Sequence, residues 1–137
     1  MNSTPTNIHI SSLNCNSLVK SNNTKKQKQY IKYLRSLNFD IMAFQETHVS
    51  HNITSLIDTQ FQSKCSLWTP HCGVVSTSTN FIFSANLISG NDRAILVKVN
   101  HIQHSVIPFY ILNLYATATN GTDRKLFFND VLTSINN

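Results

Sequence analysis

Several features that would indicate the protein's location are missing from the sequence. Its three cysteines, Cys15, Cys65 and Cys72, are an odd number, and their spacing is not that of a disulfide framework or of paired zinc ligands. No uncharged apolar run approaches the roughly 20 residues needed to cross a bilayer, and no basic segment followed by an apolar one marks a secretory leader. We therefore expect an intracellular protein, nuclear or cytoplasmic, that is neither secreted nor membrane-bound.

Charge is also sparse. Only 12% of the residues are charged, although 11 Lys and Arg against 6 Asp and Glu leave a formal net charge of +5. An excess of positive charge favours a polyanionic partner such as nucleic acid, but it also suits solubility alone. The basic stripe Lys25, Lys28, Lys32 and Arg35 lies opposite apolar residues, as is typical of a solvated helix face. Electrostatics alone does not identify the partner.

The chain contains no linker, repeat or low-complexity segment, so residues 1–137 are predicted to form one domain. Hydrophobic periodicity predicts strands at 8–13 and 40–45 around an amphipathic helix at 25–37, with Thr24 as its cap. The second of these strands is almost continuously apolar, which is typical of a strand covered on both faces.

A short helix or helical turn is predicted at 51–60, followed by an antiparallel meander and a final amphipathic helix. The predicted strands of the meander are 65–68, 73–76, 81–83, 94–99 and 109–115, and the final helix is 123–135. Because strands outnumber helices and the clear helices flank them, we predict an α+β fold packed in layers.

Polar side chains lie at the ends of several predicted strands. They are Asn14 and Asn16 after the first, Glu46 and His48 after the second, and Asn113 and Tyr115 on a later one. Active sites are commonly assembled from such convergent ends. Taken singly, a Glu here is better explained as a solvated or helix-capping residue, and an Asn can be a plain turn residue. Spacing alone leaves both interpretations open.

Four stretches together favour the functional interpretation. They are Leu13–Leu18 (L-N-C-N-S-L), Gln45–His48 (Q-E-T-H), Asn113–Ala116 (N-L-Y-A) and the helix Asp123–Leu132. In this order they resemble the endonuclease/exonuclease/phosphatase superfamily, most of all the endonucleases of non-LTR retrotransposons and the abasic-site endonucleases. The Q-E-T match is the most specific. A weaker match is Gly90–Ala94, where retrotransposon endonucleases carry an Arg before a strand.

The resemblance implies a fold and a site. The deoxyribonuclease I-like fold of the family is a four-layer α/β/β/α sandwich, of which this chain would supply the first half, about one sheet. The implied catalytic residues are Asn14, Glu46 and Tyr115; the implied substrate contacts are Asn16, His48 and Asn113; and Glu46 and Asn14 would bind Mg²⁺, or Mn²⁺ in its place. A cation that keeps several of its waters needs few carboxylates from the protein. The implied reaction is hydrolysis of a phosphodiester in nucleic acid, with DNA preferred.

Two departures from the family pattern limit that expectation. Thr117 stands where the family usually has Pro, which loosens a turn. The G-D-x-N and S-D-H motifs, which in the family position the water and the phosphate, do not occur. General acid–base assistance typically contributes about 10²–10⁴-fold. We therefore expect little or no activity and interpret the chain as a truncated domain, from a gene fragment or a decayed transposon copy.

The competing hypothesis is a non-catalytic remnant that binds nucleic acid or another protein. A sheet left uncovered by an absent half would serve as its interaction surface, toward that half or toward a second copy of the chain. Magnesium dependence separates the two hypotheses. A zinc site built from Cys65, His71 and Cys72 is disfavoured, because no pair of them has a usual ligand spacing.

Overall fold

A computed structural model of the protein describes residues 7–20, 22–116 and 120–136. Within these ranges the elements are β1 (Ile10–Asn14), α1 (Thr24–Ser36), β2 (Ile41–Gln45), α2 (Thr54–Phe61), β3 (Cys65–Trp68), β4 (Cys72–Ser76), β5 (Phe81–Ile88), β6 (Ala94–His101), β7 (Phe109–Leu114) and α3 (Gly121–Asn136). A single 3-10 turn at His51–Ile53 precedes α2. The predicted mixture of helices and strands is confirmed. Thr117 lies outside the described residues.

Helix α1 is capped by a different residue from the one predicted. The Oδ1 atom of Asn23 accepts a hydrogen bond from the Lys26 backbone N–H at 2.9 Å. Thr24 is the first helical residue, so its prediction as the cap was wrong. The side chain of an Asn before the helix accepts a hydrogen bond from the N–H of the third helical residue, which has no acceptor inside the helix.

The strands form two sheets. In the first, with the order β1-β2-β4-β3, β1 runs parallel to β2, while the β3–β4 hairpin packs antiparallel against β2. In the second, β5, β6 and β7 form an antiparallel meander. The prediction of one meander from residue 65 to 115, and of about one sheet in total, was wrong. Because β2 and β3 already pair with the two edges of β4, β5 has no edge of β4 to join.

Three clusters of buried side chains hold these layers together. The first lies between the first sheet and helices α1 and α2, and includes Ile31, Leu34, Met42, Phe44, Ile57 and Phe61. The second lies between the two sheets and includes Ile41, Cys72, Val74, Phe81, Ile95, Val97 and Val99. The third joins α3 to the second sheet through Ala94, Phe127 and Val131. Strand β2 contributes side chains to the first two clusters, which confirms that both of its faces are covered.

No helix among the described residues combines the length and the apolar content that crossing a membrane requires.

Candidate active site

Three strand ends lie side by side at one edge of the first sheet. Asn14, the last residue of β1, is in register with Gln45, the last residue of β2, and Gln45 is in register with Cys72 at the start of β4. We call this edge the site edge. Parallel β1 and β2 place the segments that follow them, including Asn16 and Glu46, on the same side of the sheet.

Asn113 attaches the second sheet to the site edge. Its side chain is 3% exposed, and its Nδ2 donates to the carbonyl oxygens of Phe44 and Gly73, both at 2.9 Å. Its Oδ1 accepts from Gln45 Nε2 at 2.7 Å. One amide thereby connects β7 with β2 and β4, and brings the end of β7, with Tyr115, to the site edge. The predicted contact of Asn113 with substrate stays a prediction.

Backbone strain is concentrated at the site edge. Among the described non-glycine residues, eight have positive φ, and four of these are Asn16, Ser17, Glu46 and His48. Such conformations cost roughly 1–3 kcal/mol each in general and persist where surrounding structure enforces them. They are over-represented at functional sites, which supports the assignment of this edge as the site.

Glu46 is held by backbone hydrogen bonds on both sides. Its N–H donates to the carbonyl of His71 at 2.7 Å, and its carbonyl accepts from the Ser17 N–H at 2.7 Å. The next strained residue, His48, is exposed, and its N–H donates to the carbonyl of Pro70 at 2.9 Å. These bonds tie the loop after β2 to the loop after β1 and to the β3–β4 turn. Because the loop is held by backbone atoms, the half-buried Glu46 carboxylate is not needed to fix its conformation.

Asn14 and Asn16 form a small turn after β1. The Oδ1 atom of Asn14 accepts from the Asn16 N–H at 3.1 Å, a bond that Asn side chains commonly make in turns. Both side chains are exposed. The turn explains the positive φ of Asn16, and it leaves the amide of Asn14 at the surface beside Gln45.

Tyr115 is contacted by two residues from other loops. The Arg93 guanidinium lies over its ring, with Cζ 5.2 Å from the centroid, and Arg93 Nη1 donates to the Tyr115 carbonyl at 3.4 Å. The His71 ring stacks on the Tyr115 ring, at 6.2 Å between centroids and 28° between planes. Since His71 also accepts the Glu46 N–H, these contacts form a continuous chain from Glu46 through His71 and Tyr115 to Arg93.

Burial affects the pKa values of two groups near the site edge, the His71 ring and the Cys15 thiol. Burial, followed by the nearby charge of Arg93, lowers the pKa of His71, so its ring is neutral at pH 7. Burial raises the pKa of the Cys15 thiol to about 11, and this thiol donates to the Gln45 carbonyl at 3.2 Å. Cys15 is therefore a neutral structural group, because a thiol must ionise to act as a nucleophile.

An open groove of about 550 Å³ runs between the two sheets beside the site edge. Its lining includes Ser12, Asn14, Gln45, Asn113 and Tyr115. The groove therefore collects three of the six predicted site residues. Glu46, Asn16 and His48 lie at the same edge but do not line the groove.

The candidate metal ligands at the site edge, Glu46 and Asn14, are oxygen donors. Within the part of the chain that the structure describes, no group of three or more His, Cys, Asp or Glu side chains is placed to hold a metal ion. One carboxylate, Glu46, and one amide oxygen, Asn14, come from adjacent strand ends. Such a set suits a cation that binds hard oxygens, keeps most of its waters and shares its shell with a substrate phosphate.

Three residues of the site were not predicted as functional. Gln45 was noticed only as a letter of the Q-E-T stretch, Arg93 only as the weak match before a strand, and His71 only as an unsuitable zinc ligand. The first two signals could have been followed further. His71 gave no signal, because its position depends on how the β3–β4 hairpin packs against β7.

Solved structures share this fold. A D. rerio TDP2 humanized by 14 mutations superposes with a TM-score of 0.66 at 16% identity, covering 94% of this chain and 56% of that one. D. rerio TDP2 complexed with a single-strand DNA product superposes with a TM-score of 0.65 at 15% identity, covering 94% and 54%. The human Nocturnin catalytic domain with bound sulfate anion gives 0.55 at 10% identity, covering 93% and 59%.

The chain therefore shares the fold of TDP2 and of the Nocturnin catalytic domain over almost all of its length. At these identities the likeness concerns the fold alone. The chain spans just over half the length of each of these three structures. No protein-family model and no protein of curated function matches the sequence.

Proposed function

We propose that the chain forms part of a magnesium-dependent phosphodiesterase domain that acts on nucleic acid in the manner of a DNA endonuclease. The observation that carries this proposal is the meeting of Asn14, Glu46 and Tyr115 at one strained edge where two sheets join. The same residues carry the sequence resemblance to retrotransposon and abasic-site endonucleases, and the fold likeness to TDP2 and Nocturnin supports the superfamily.

The layer order supports the same proposal. The buried clusters place α1 and α2 against the first sheet, the first sheet against the second, and the second sheet against α3. We propose that this is part of a four-layer α/β/β/α sandwich of the deoxyribonuclease I-like kind, over residues 1–137. In that arrangement the groove between the sheets is the place where a nucleic-acid strand enters.

Each residue of the site has a proposed role. Glu46 and Asn14 would hold Mg²⁺, or Mn²⁺, which when bound supplies Lewis-acid polarisation of a phosphoryl oxygen. The Tyr115 hydroxyl donates to the phosphate and orients it. Asn16 and His48, exposed at the same edge, contact the substrate backbone on the other side of Glu46. Asn113 fixes the spacing of these groups by tying β7 to β2 and β4.

These residues do not make a complete hydrolytic site. No residue of the described part of the site edge has the G-D-x-N or S-D-H setting that would activate a water or protonate a leaving oxygen. Glu46 is also the only glutamate in the sequence. We therefore propose that these 137 residues bind metal and nucleic acid but hydrolyse phosphodiesters weakly or not at all.

The test is a Mn²⁺ titration, in which binding is measured as the loss of the electron paramagnetic resonance signal of the free ion. We expect Mg²⁺-competable Mn²⁺ binding that is lost in Glu46→Gln. The matched control is Asp130→Asn, which removes one exposed carboxylate on α3 and should bind like the parent. Equal binding by the parent and Glu46→Gln would overturn the proposed metal site.

Plasmid nicking with Mg²⁺ tests the catalytic part. We expect little or no nicking by the parent chain. Nicking that disappears both in Glu46→Gln and with a chelator would mean that a complete site forms, for example by self-association, and would contradict the proposed inactivity.

The absence of the two motifs favours a second candidate, a non-catalytic module that binds nucleic acid through the groove. Binding by such a module persists in chelator and weakens with salt, because it depends on phosphate contacts. Loss of all DNA binding in chelator would exclude this candidate.

A further inference from the structure

From the geometry around Tyr115 we infer that Arg93 and His71 form a second phosphate-binding subsite, which takes the backbone phosphate next to the scissile one. This inference rests on the proposed function, because it assumes that the polyanion at the groove is nucleic acid. It gives roles to Arg93 and His71, to which the resemblance assigned none. The site then extends from Glu46 past Tyr115 to Arg93.

The first step is the state of the Arg93 side chain. Within the described part of the chain, its one hydrogen bond goes to the Tyr115 carbonyl, at 3.4 Å. A guanidinium has five N–H donors, so most of them remain available to a ligand. Arg93 is half-buried, and it is anchored by its contact with the Tyr115 ring. A held guanidinium with open donors is well suited to a phosphate, which it can bind through two parallel hydrogen bonds.

The second step is the rigidity of the pair. The Tyr115 N–H donates to the Arg93 carbonyl at 2.8 Å, so the backbones of the two residues are bonded as well as their side chains. His71 packs against Tyr115 from the β3–β4 turn. Little side-chain freedom is then lost when a ligand binds, which favours affinity.

The third step is the local charge. Asp92 precedes Arg93 and acts on His71 in the opposite sense to Arg93, but the described residues contain no ion pair that would occupy the Arg93 guanidinium. The His71 ring, which stacks on the Tyr115 ring that Arg93 also contacts, adds ring nitrogens to the same place. The full positive charge of the Arg93 guanidinium matches a singly charged phosphodiester.

The order of the contacts gives the order of the phosphates. Glu46 contacts His71 directly through the backbone, and Arg93 lies beyond Tyr115 in the chain of contacts. A strand whose scissile phosphate lies between Glu46 and Tyr115 then brings a neighbouring phosphate to Arg93. The subsite thus defines the line along which the strand crosses the site edge, for either strand polarity.

The test is binding of a fluorescein-labelled single-stranded oligonucleotide, measured by anisotropy in EDTA over a range of salt concentrations. We expect Arg93→Met to bind about tenfold more weakly at low salt, with a salt slope of log K shallower by about 0.7, the value of one phosphate contact on a single strand. His71→Phe keeps an aromatic ring against Tyr115 but removes the ring nitrogens, so it should weaken binding less than Arg93→Met does.

Two controls keep the result interpretable. Lys64→Met removes one exposed positive charge at the opposite end of β3 from the His71 turn and should bind like the parent. Arg93→Lys keeps the charge but not the paired donors, so it should retain the slope and lose part of the affinity. Circular dichroism of each variant checks that the fold is intact.

The outcomes separate this inference from the proposed metal site. Parent-like affinity and slope in Arg93→Met, an equal slope change in Lys64→Met, or no binding by the parent would overturn the subsite. Because the assay contains EDTA, the oligonucleotide affinity that it measures does not depend on a bound metal ion. If Glu46→Gln binds Mn²⁺ like the parent while Arg93→Met binds the oligonucleotide more weakly, the metal site is refuted and the phosphate subsite is not.

Discussion

Asn113 illustrates how one side chain can determine the relation between two sheets. Two of its three hydrogen bonds are buried and the third is partly buried, and each partner lies on a strand of the first sheet. The sequence placed Asn113 in an N-L-Y-A stretch and suggested a substrate contact. Only the packing of β7 against β2 and β4 reveals that its amide also holds the site together.

Truncation of this amide has a predictable cost. We expect Asn113→Ala to lower the free energy of unfolding by about 1–3 kcal/mol, because the buried carbonyls of Phe44 and Gly73 each lose one donor. Urea denaturation measures the change. Asn129→Ala, at an exposed position on α3, is the control and should stay within about 0.5 kcal/mol of the parent. A cost below 1 kcal/mol for Asn113→Ala would mean that the two sheets do not depend on this amide.

The residues of the candidate site were partly predictable. The sequence indicated Asn14, Glu46 and Tyr115, because polar residues at the ends of apolar strands match motifs of the family. His71 and Arg93 were not assigned, because their relevance comes from contacts with Tyr115 that cross between loops. Sequence spacing carries no information about such contacts.

The positions of single helices and strands were predicted more reliably than the pairing of the strands into sheets. Apolar periodicity located α1, β2, α2 and β4 within a few residues, since burial of one face or both faces leaves a periodic trace. Strand β5 extends from the predicted 81–83 to Ile88, and β6 extends slightly, from the predicted 94–99 to His101. Their outer halves carry polar residues such as Asn86 and Asn100, which weaken the alternation on which the prediction depended.

The start of α1 offers a direct test of its cap. Asn23→Ala should lower the free energy of unfolding by about 1 kcal/mol, because the Lys26 N–H loses its side-chain acceptor. Thr24→Ala, one residue later, is the matched control and should have a much smaller effect. Urea denaturation of both variants decides between them, and a larger loss in Thr24→Ala would reinstate Thr24 as the cap.

The β3–β4 hairpin depends on a glycine opposite a tryptophan. Gly73 pairs with Trp68, and a Cβ atom at Gly73 would overlap the Trp68 indole. The indole stacks against Phe44 and Phe61, so it cannot move without disturbing the first core cluster.

Gly73→Ala should therefore destabilise the protein by about 1–3 kcal/mol, the usual cost of overpacking, and should shift the Trp68 fluorescence spectrum. The comparison is Gly90→Ala, where an added Cβ meets open space. A parent-like spectrum and stability in Gly73→Ala would show that the indole adjusts freely.

The whole molecule should unfold as one unit, because the second core cluster and Asn113 join both sheets. Trp68 fluorescence reports on the first core cluster, and far-ultraviolet circular dichroism reports on all elements. We expect the two signals to give coincident urea transitions, as a two-state domain does. Two separated transitions would mean that the second sheet and α3 unfold independently, and that the contacts between the sheets contribute little.

The sequence by itself determined the kind of each element, the α+β class and the stretches in which the side chains of the candidate site lie. Periodicity, capping residues and short motifs are local, so a single chain read in order contains them. The tertiary structure alone decided that the strands divide between two sheets, that Asn113 joins them, and that Arg93 and His71 meet at Tyr115. These relations depend on which strand edges are already occupied and which buried donors need acceptors, and both are settled only when distant segments pack together.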